Sequence, residues 1–293
     1  MAFRNYIKKY LSMKYVAVDG GLGNQMFQYA FMLALKAKGN DTCLFCPHKK
    51  WEHKSGFELS RVFDVNFKKS VWQFLYNWIP YPFRKLFFVT HKTFHDVNFR
   101  FLPEALSSRN CKYFYGTWQS ELYFKDIQSS IRETFSFNNN LLSDKTLDIL
   151  KIITDSSEPT VSIHVRRGDY LSTSFKDGFG SCCTLDYYKH AISYIQKNIN
   201  KDVLFVFFSD DISWVRDNIK VPNALYVNHN SGLDSWQDMF LMSQCSSNII
   251  ANSSFSWWGA WLNTNIDKIV IAPKRWWASL ENDDVVPKSW IRM

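Results

Sequence analysis

The second half of this 293-residue chain alternates short apolar runs with stretches of helical periodicity, and no other feature restricts its fold as much. The apolar runs fall at 160–166, 203–208, 225–227, 248–251 and 268–272. Between them, apolar residues recur at helical spacing over 185–198, 211–219, 235–245 and 256–263. Strands that alternate with helices build a parallel, doubly wound sheet. The first half opens in the same way. Tyr15-Val16-Ala17-Val18-Asp19 reads as a strand, 20–24 as a tight glycine turn, and 25–38 as a helix carrying Phe27, Ala30, Phe31, Ala34 and Leu35 at helical spacing. Gly39 stands where a helix stops, and 42–46 reads as the next strand. The expected fold class is α/β, with two Rossmann-like, doubly wound domains facing across a cleft.

Residues 1–13 place Phe3, Tyr6, Ile7, Tyr10 and Leu11 at helical spacing, with Arg4, Lys8 and Lys9 elsewhere. That describes either a basic amphipathic extension suited to an anionic membrane surface or a loosely ordered leader ahead of Met13. An N-terminal domain is expected over 14–150 and a C-terminal domain over 151–293, joined through the polar stretch 137–159. Within 57–112, the aromatic residues Trp72, Phe74, Tyr76, Trp78, Tyr81 and Phe83, broken by Pro80 and Pro82, predict short helices and loops over one face of the sheet. A strand at 112–115 leads to Gly116-Thr117-Trp118-Gln119, and Ser120 is placed to cap a helix through Glu133.

Composition narrows the function classes. No apolar run approaches the ~18 residues of a membrane span. The charged start lacks the apolar core of a signal peptide. Six cysteines at irregular spacing read as free thiols of a reducing, cytosolic compartment. A net charge of +8 favours an anionic partner such as a phosphorylated small molecule, and no dense Lys/Arg block points to nucleic acid. Aromatic residues make up 17% of the chain, which fits either ring-lined clefts or an aromatic core.

In parallel sheets, ligands bind beyond the carboxyl ends of the strands. Three segments of the second half fall there. The first is His164-Val165-Arg166-Arg167-Gly168-Asp169. Strand side chains alternate, so Val161, Ile163 and Val165 share one face and Ser162, His164 and Arg166 the other. An imidazole thus stands beside a guanidinium, whose planar fork suits phosphate oxygens. The second is Ser209-Asp210-Asp211, where a carboxylate matches a ring N–H pair such as guanine's. The third is Asn252-Ser253-Ser254-Phe255-Ser256, where hydroxyls and free N–H groups at a helix start attract phosphate. Together they read a nucleoside diphosphate. Singly, each has a plainer reading: an exposed Arg pair, a loop-start Asp pair, an N-capping Ser256.

The glycine turn is not a dinucleotide fingerprint. Met26 stands where G-x-G-x-x-G needs its third glycine, and Pro47-His48-Lys49-Lys50 stands where an acidic residue belongs. No Asp-x-Asp pair is present to bridge a divalent metal to a diphosphate, which leaves Arg166 to neutralise that charge. A nucleotide-dependent oxidoreductase and a non-catalytic carbohydrate-binding protein are the alternatives from other classes.

Three longer motifs occur in order: Gly20-Gly-Leu-Gly-Asn-Gln-Met-Phe-Gln-Tyr-Ala30, His164-Val-Arg-Arg-Gly-Asp-Tyr170 and Asn252-Ser-Ser-Phe-Ser-Trp-Trp-Gly-Ala260. Weaker echoes lie at 114–119, 185–188 and 238–244. From about residue 14 onward the chain resembles the bacterial α-1,2-fucosyltransferases of glycosyltransferase family 11. The resemblance implies a GT-B arrangement. It implies inverting transfer of L-fucose from GDP-L-fucose to the O2 hydroxyl of a terminal β-galactoside, in surface-glycan or O-antigen synthesis. No cofactor or metal is expected, GDP-L-fucose being a co-substrate. The acceptor would be an oligosaccharide or lipid-linked glycan, and the location the cytoplasm, peripheral at the inner face of the membrane. A GDP-mannose enzyme is the nearest alternative.

By the same resemblance, His164 and Arg166 hold the donor diphosphate, with Arg166 catalytic. Asp210, and next Asp211, hold guanine, and Ser253, Ser254 and Ser256 lie near the phosphates. Gly21, Gly23, Asn24 and Gln25 approach the pyrophosphate from the other domain. Trp118 and Gln119 are the expected acceptor contacts. Ser172, Thr173 and Ser174 stand where related enzymes carry a Glu base, which leaves Asp169, Asp177 and Asp19 as candidates.

Overall fold

The computed structural model describes residues 13–46, 57–65, 93–171, 176–199, 202–281 and 283–293. The amphipathic pattern of 1–12, the stretch from Trp72 to Phe83, Pro47-His48-Lys49-Lys50 and Ser172-Thr173-Ser174 lie outside the described residues. The chain forms two compact units, Met1–Ser136 and Phe137–Met293.

The first unit holds a four-stranded sheet in the order β2-β1-β4-β3, every pair parallel. Its strands are β1 (Lys14–Ala17), β2 (Thr42–Phe45), β3 (Thr93–His95) and β4 (Tyr113–Tyr115). Helix α1 (Leu22–Ala37) follows β1 and buries Met26, Phe27, Ala30, Phe31 and Leu35. It begins at the glycine turn itself, ahead of the expected start. The helix expected from Ser120 is broken. Ser120 Oγ accepts only from Leu122 N (3.4 Å), two 3₁₀ turns follow, and the regular helix α2 covers Gln128–Thr134.

The second unit holds a six-stranded parallel sheet in the order β10-β9-β8-β5-β6-β7. Its strands are β5 (Thr160–Val165), β6 (Leu204–Ser209), β7 (Ala224–Val227), β8 (Ser247–Ile249), β9 (Val270–Ala272) and β10 (Ile291–Arg292). The helices are α3 (Asp144–Asp155), α4 (Leu185–Asn198), α5 (Ile212–Asn218), α6 (Trp236–Gln244) and α7 (Ser254–Leu262). Every residue of β5 is buried, because the strand is central and covered on both faces. Val161, Ile163 and Val165 pack with Phe205 and Phe207 of β6 and with Tyr188, Ala191, Ile192 and Ile195 of α4. Each of the valine, isoleucine and phenylalanine side chains contributes about 1.5–3 kcal/mol by leaving water. On the opposite face, Ser162 Oγ accepts from Asn248 Nδ2 (2.7 Å), whose other amide hydrogen goes to Met242 O (2.7 Å) on α6.

The division between units falls before the expected 150/151 boundary for a packing reason. Phe137 stacks on Trp236 at 5.9 Å, Ser143 N donates to Gln237 Oε1 (2.8 Å), and α3 packs on α6. Residues 137–150 therefore belong to the second unit. All six cysteines are free thiols. Among the described residues, no helix is long and apolar enough to cross a membrane.

Candidate active site

Register brings the three expected segments together. Strand β5 lies between β8 and β6, with Ile163 paired to Ile249 and Val165 to Ser209. The residues that follow these strands therefore emerge side by side at one edge of the sheet. Phe255 in the first turn of α7 lies 5.9 Å, ring to ring, from His164. The start of α7 is thus set against the end of β5.

Helix α7 starts two residues ahead of its apolar periodicity, and its N-cap is Ser253, not Ser256. Ser253 makes no side-chain capping bond. Ser256 is buried and turns its hydroxyl back to Ala251 O (3.5 Å) and Ser253 O (3.4 Å). The N–H groups of the first turn are left without a capping side chain, and a helix start carries partial positive charge.

His164 is buried, and its Nδ1 has no hydrogen-bond partner. Burial, and next the neighbouring Arg166 charge, push its pKa down to about 3, against an opposing pull from Asp210. The imidazole is neutral at physiological pH. Its backbone carbonyl accepts from Tyr188 Oη (3.1 Å), which fixes the strand end from below.

The Arg and Asp residues are interlocked. Asp210 accepts from Arg167 N (2.9 Å) and Gly168 N (3.1 Å), and its Oδ2 pairs with Arg166 Nη1 (3.0 Å). Asp211 accepts from Trp214 N (3.1 Å), capping α5, and pairs with Arg167 Nε (3.1 Å). The Trp214 and Arg167 bonds hold its carboxyl below the usual carboxylate range. The Arg167 guanidinium lies 3.8 Å over the Trp214 ring, a cation–π contact. Both carboxylates, expected to face guanine, are engaged here with the protein's own donors.

A second braced loop completes this edge. Arg166 lies 5.7 Å over the Tyr170 ring, Tyr170 stacks on Phe179 at 5.2 Å, and Phe179 meets Trp277 at 4.5 Å. Asn252 ties the segments together: Nδ2 donates to Phe179 O (2.9 Å) and Trp276 O (3.1 Å), and its own carbonyl accepts from Tyr170 Oη (2.9 Å). Asp177 is exposed in the turn Lys176–Gly180 of this loop. Asp169 opens the turn Asp169–Leu171, and its side chain lies outside the described set.

In the first unit the glycine turn is internally braced. Gly20 has φ +80°, open to glycine without strain. Leu22 N, at the start of α1, donates to Glu58 Oε1 (3.1 Å). Gln25 is buried, with Nε2 on Gly20 O (2.9 Å) and Oε1 on Glu58 N (2.8 Å). A carboxylate thus already occupies the helix start that Gly21, Gly23, Asn24 and Gln25 were expected to offer to a pyrophosphate. Asp19 N donates to Gln28 Oε1 (3.0 Å), and Asn24 Oδ1 accepts from Gln119 Nε2 (2.8 Å). Trp118 is fully buried, stacked on Phe31 at 4.0 Å. Its ring is thus part of the core of the first unit. Its φ of +54° is held by Asp96 Oδ2, which accepts from Thr117 N (3.1 Å) and Trp118 N (2.9 Å).

Sequence reasoning missed Glu58 and Asp96. Both act on backbone groups far along the chain, and no local pattern marks them.

Two units built on parallel sheets, the second with an arginine, a neutral histidine and an uncapped helix start at one carboxyl edge, have the fold of the GT-B type. The fold is that of the Se-Met fucosyltransferase NodZ from Bradyrhizobium, with a TM-score of 0.50, 14% identity, and coverage of 85% of this chain and 91% of that one. The chain matches glycosyl transferase family 11 over residues 2–293 and belongs to that family. It is 33% identical over 306 residues to the O-antigen biosynthesis glycosyltransferase WbnK of Escherichia coli, covering 95% of this chain and all of that relative. It is 34% identical over 299 residues to an α-1,2-colitosyltransferase of Escherichia coli, covering 97% of this chain and 99% of the relative.

Proposed function

We propose that this glycosyltransferase moves L-fucose from GDP-L-fucose to the O2 hydroxyl of a terminal β-galactoside, with inversion and without a metal ion. The observation that carries the reading is the meeting of Arg166, neutral His164 and the start of α7 at adjoining strand ends. As the anomeric bond stretches, positive charge builds on the sugar and negative charge on the β-phosphate. The Arg166 guanidinium and the first-turn N–H groups of α7 take up that negative charge. Because the charge is larger in the transition state than in the bound donor, these groups accelerate the chemical step. His164 supplies a hydrogen bond without adding a charge.

The acceptor hydroxyl loses its proton late if the bond to GDP breaks first. A departing phosphate oxygen then accepts it, and no strong base is required; Asp169 and Asp177 are the carboxylates that follow the motif in sequence. The relative named for O-antigen biosynthesis supports a glycan acceptor.

The colitosyltransferase relative favours a second reading of the donor. Colitose is L-fucose without its 3-hydroxyl, so the two GDP-sugars differ by one oxygen and place the same demands on Arg166 and α7. The test is a panel of GDP-fucose, GDP-colitose and GDP-mannose against lactose, N-acetyllactosamine and Galβ1-3GalNAc, with and without EDTA, read by mass and linkage analysis. The expected product is a 2-linked fucosyl galactoside, formed equally in EDTA. A different linkage, or strict dependence on added Mn²⁺, contradicts the proposal.

A further inference from the structure

We infer that Asp210 is a positioning residue that sets the Arg166 fork, and that it does not read the nucleobase. The inference rests on the GDP-sugar reading above. A carboxylate offers about four lone-pair directions. Three are taken: Oδ1 by Arg167 N (2.9 Å), Oδ2 by Gly168 N (3.1 Å) and Arg166 Nη1 (3.0 Å). Recognition of guanine through N1–H and the 2-amino group needs a free direction on each oxygen, and Oδ2 has none.

Gly168 gives an independent sign that this carboxylate belongs to the turn. A Cβ on Gly168 would come within 2.8 Å of Asp210 Oδ2. Side chain and backbone are closed on each other, with no room between them for a ligand atom. Asp211 differs from Asp210, holding a single donor on each oxygen, Trp214 N on Oδ1 and Arg167 Nε on Oδ2.

The charge count agrees. Arg166 and Arg167 are each matched by an aspartate, and His164 is neutral. Asp210 thus offsets part of the Arg166 charge before a diphosphate arrives. Asp210 orients Arg166 at the expense of some of its attraction for the anion. Its loss should leave nucleotide binding largely intact while misdirecting the group that acts in the transition state.

The experiment uses the full chain and compares wild type with Asp210→Asn. Dissociation constants for GDP and IDP are measured by calorimetry, and kcat and KM by product formation. IDP lacks only the 2-amino group of guanine. The positioning role predicts a kcat loss of about 10–10²-fold, the scale of a small misplacement. It also predicts a GDP-to-IDP affinity ratio within twofold of wild type. Asp210→Glu, which keeps the charge, should recover part of the kcat. Gly168→Ala displaces the carboxylate without removing it, and should reproduce the kcat loss with the same ratio if the Asn variant does not fold. A ratio that collapses in D210N overturns the positioning role and makes Asp210 the base reader. Unchanged kcat overturns it as well. A wild-type chain that binds neither nucleotide overturns the donor assignment, and this inference with it.

Discussion

Replacing Gly168 by alanine perturbs the site without touching a charge. Gly168 does not occupy the left-handed region, so alanine adds no backbone strain there. The added Cβ lies 2.8 Å from Asp210 Oδ2 and 3.3 Å from Cγ, about 0.6 Å short of the 3.4 Å at which ordinary contact begins. Asp210 is a short side chain held by three donors, so it cannot swing aside cheaply. A retreat of that size stretches the Gly168 N and Arg166 Nη1 contacts, now 3.1 and 3.0 Å, beyond hydrogen-bond range. Losing one hydrogen bond to a charged group costs about 1.5–3 kcal/mol. At about 1.36 kcal/mol per decade, a loss felt in the transition state lowers kcat by roughly 10–150-fold. The assay is steady-state transfer by wild type, Gly168→Ala, Asp210→Ala and the double variant. If Gly168 acts through Asp210, the glycine change costs little once the aspartate is gone. Wild-type turnover in G168A, or full additivity in the cycle, refutes the reasoning.

Arg166→Lys keeps the charge but loses the fork, and kcat should fall about 10²–10³-fold; near-normal turnover removes the residue from the mechanism. Trp118→Ala should cost about 3–5 kcal/mol in denaturant unfolding and leave the rank order of acceptors unchanged; altered acceptor preference at full stability restores an acceptor role. Burial raises Asp238 to about 7, partly offset by Asn230 Nδ2, which donates to it at 2.8 Å. Its contribution is fully present below about 3.8 and is lost as pH rises through about 7. Asp238→Asn should therefore gain melting temperature over wild type between pH 5 and pH 8, and a difference that is flat with pH counts against the burial argument. His164 has the opposite sign: its contribution is present above about 6.5 and fades as pH falls toward about 3. His164→Gln should flatten the acid limb of the stability curve, and an unchanged limb sinks that assignment.

The fold was legible where one element carries its own signals. Helix α4 runs over the residues its periodicity marked, because Thr184 caps it and Tyr188, Ala191, Ile192 and Ile195 form its buried stripe. The neighbouring of β8, β5 and β6 followed from strand–helix alternation and the habit of parallel sheets to gather ligands at one edge. What escaped reading was decided by distant partners. Glu58 closes the start of α1 from 36 positions away, and Asp210 closes on Gly168 from 42. Nothing near the glycine turn or the aspartate pair announces either contact. Aromatic content could not tell a ring-lined cleft from a core; the 4.0 Å stack of Trp118 on Phe31 decides for the core. Strands as short as β3 and β10 carry too few residues for a period-two pattern to stand out.

The most direct test of the account is a crystal structure of the chain with GDP bound. The β-phosphate is expected within hydrogen-bond distance of the Arg166 guanidinium and of the N–H groups at Ser254, Phe255 and Ser256, with Asp210 still on Gly168 N. A pyrophosphate seated at the Gly20–Asn24 turn, with Arg166 bound to Asp210 alone, would contradict it.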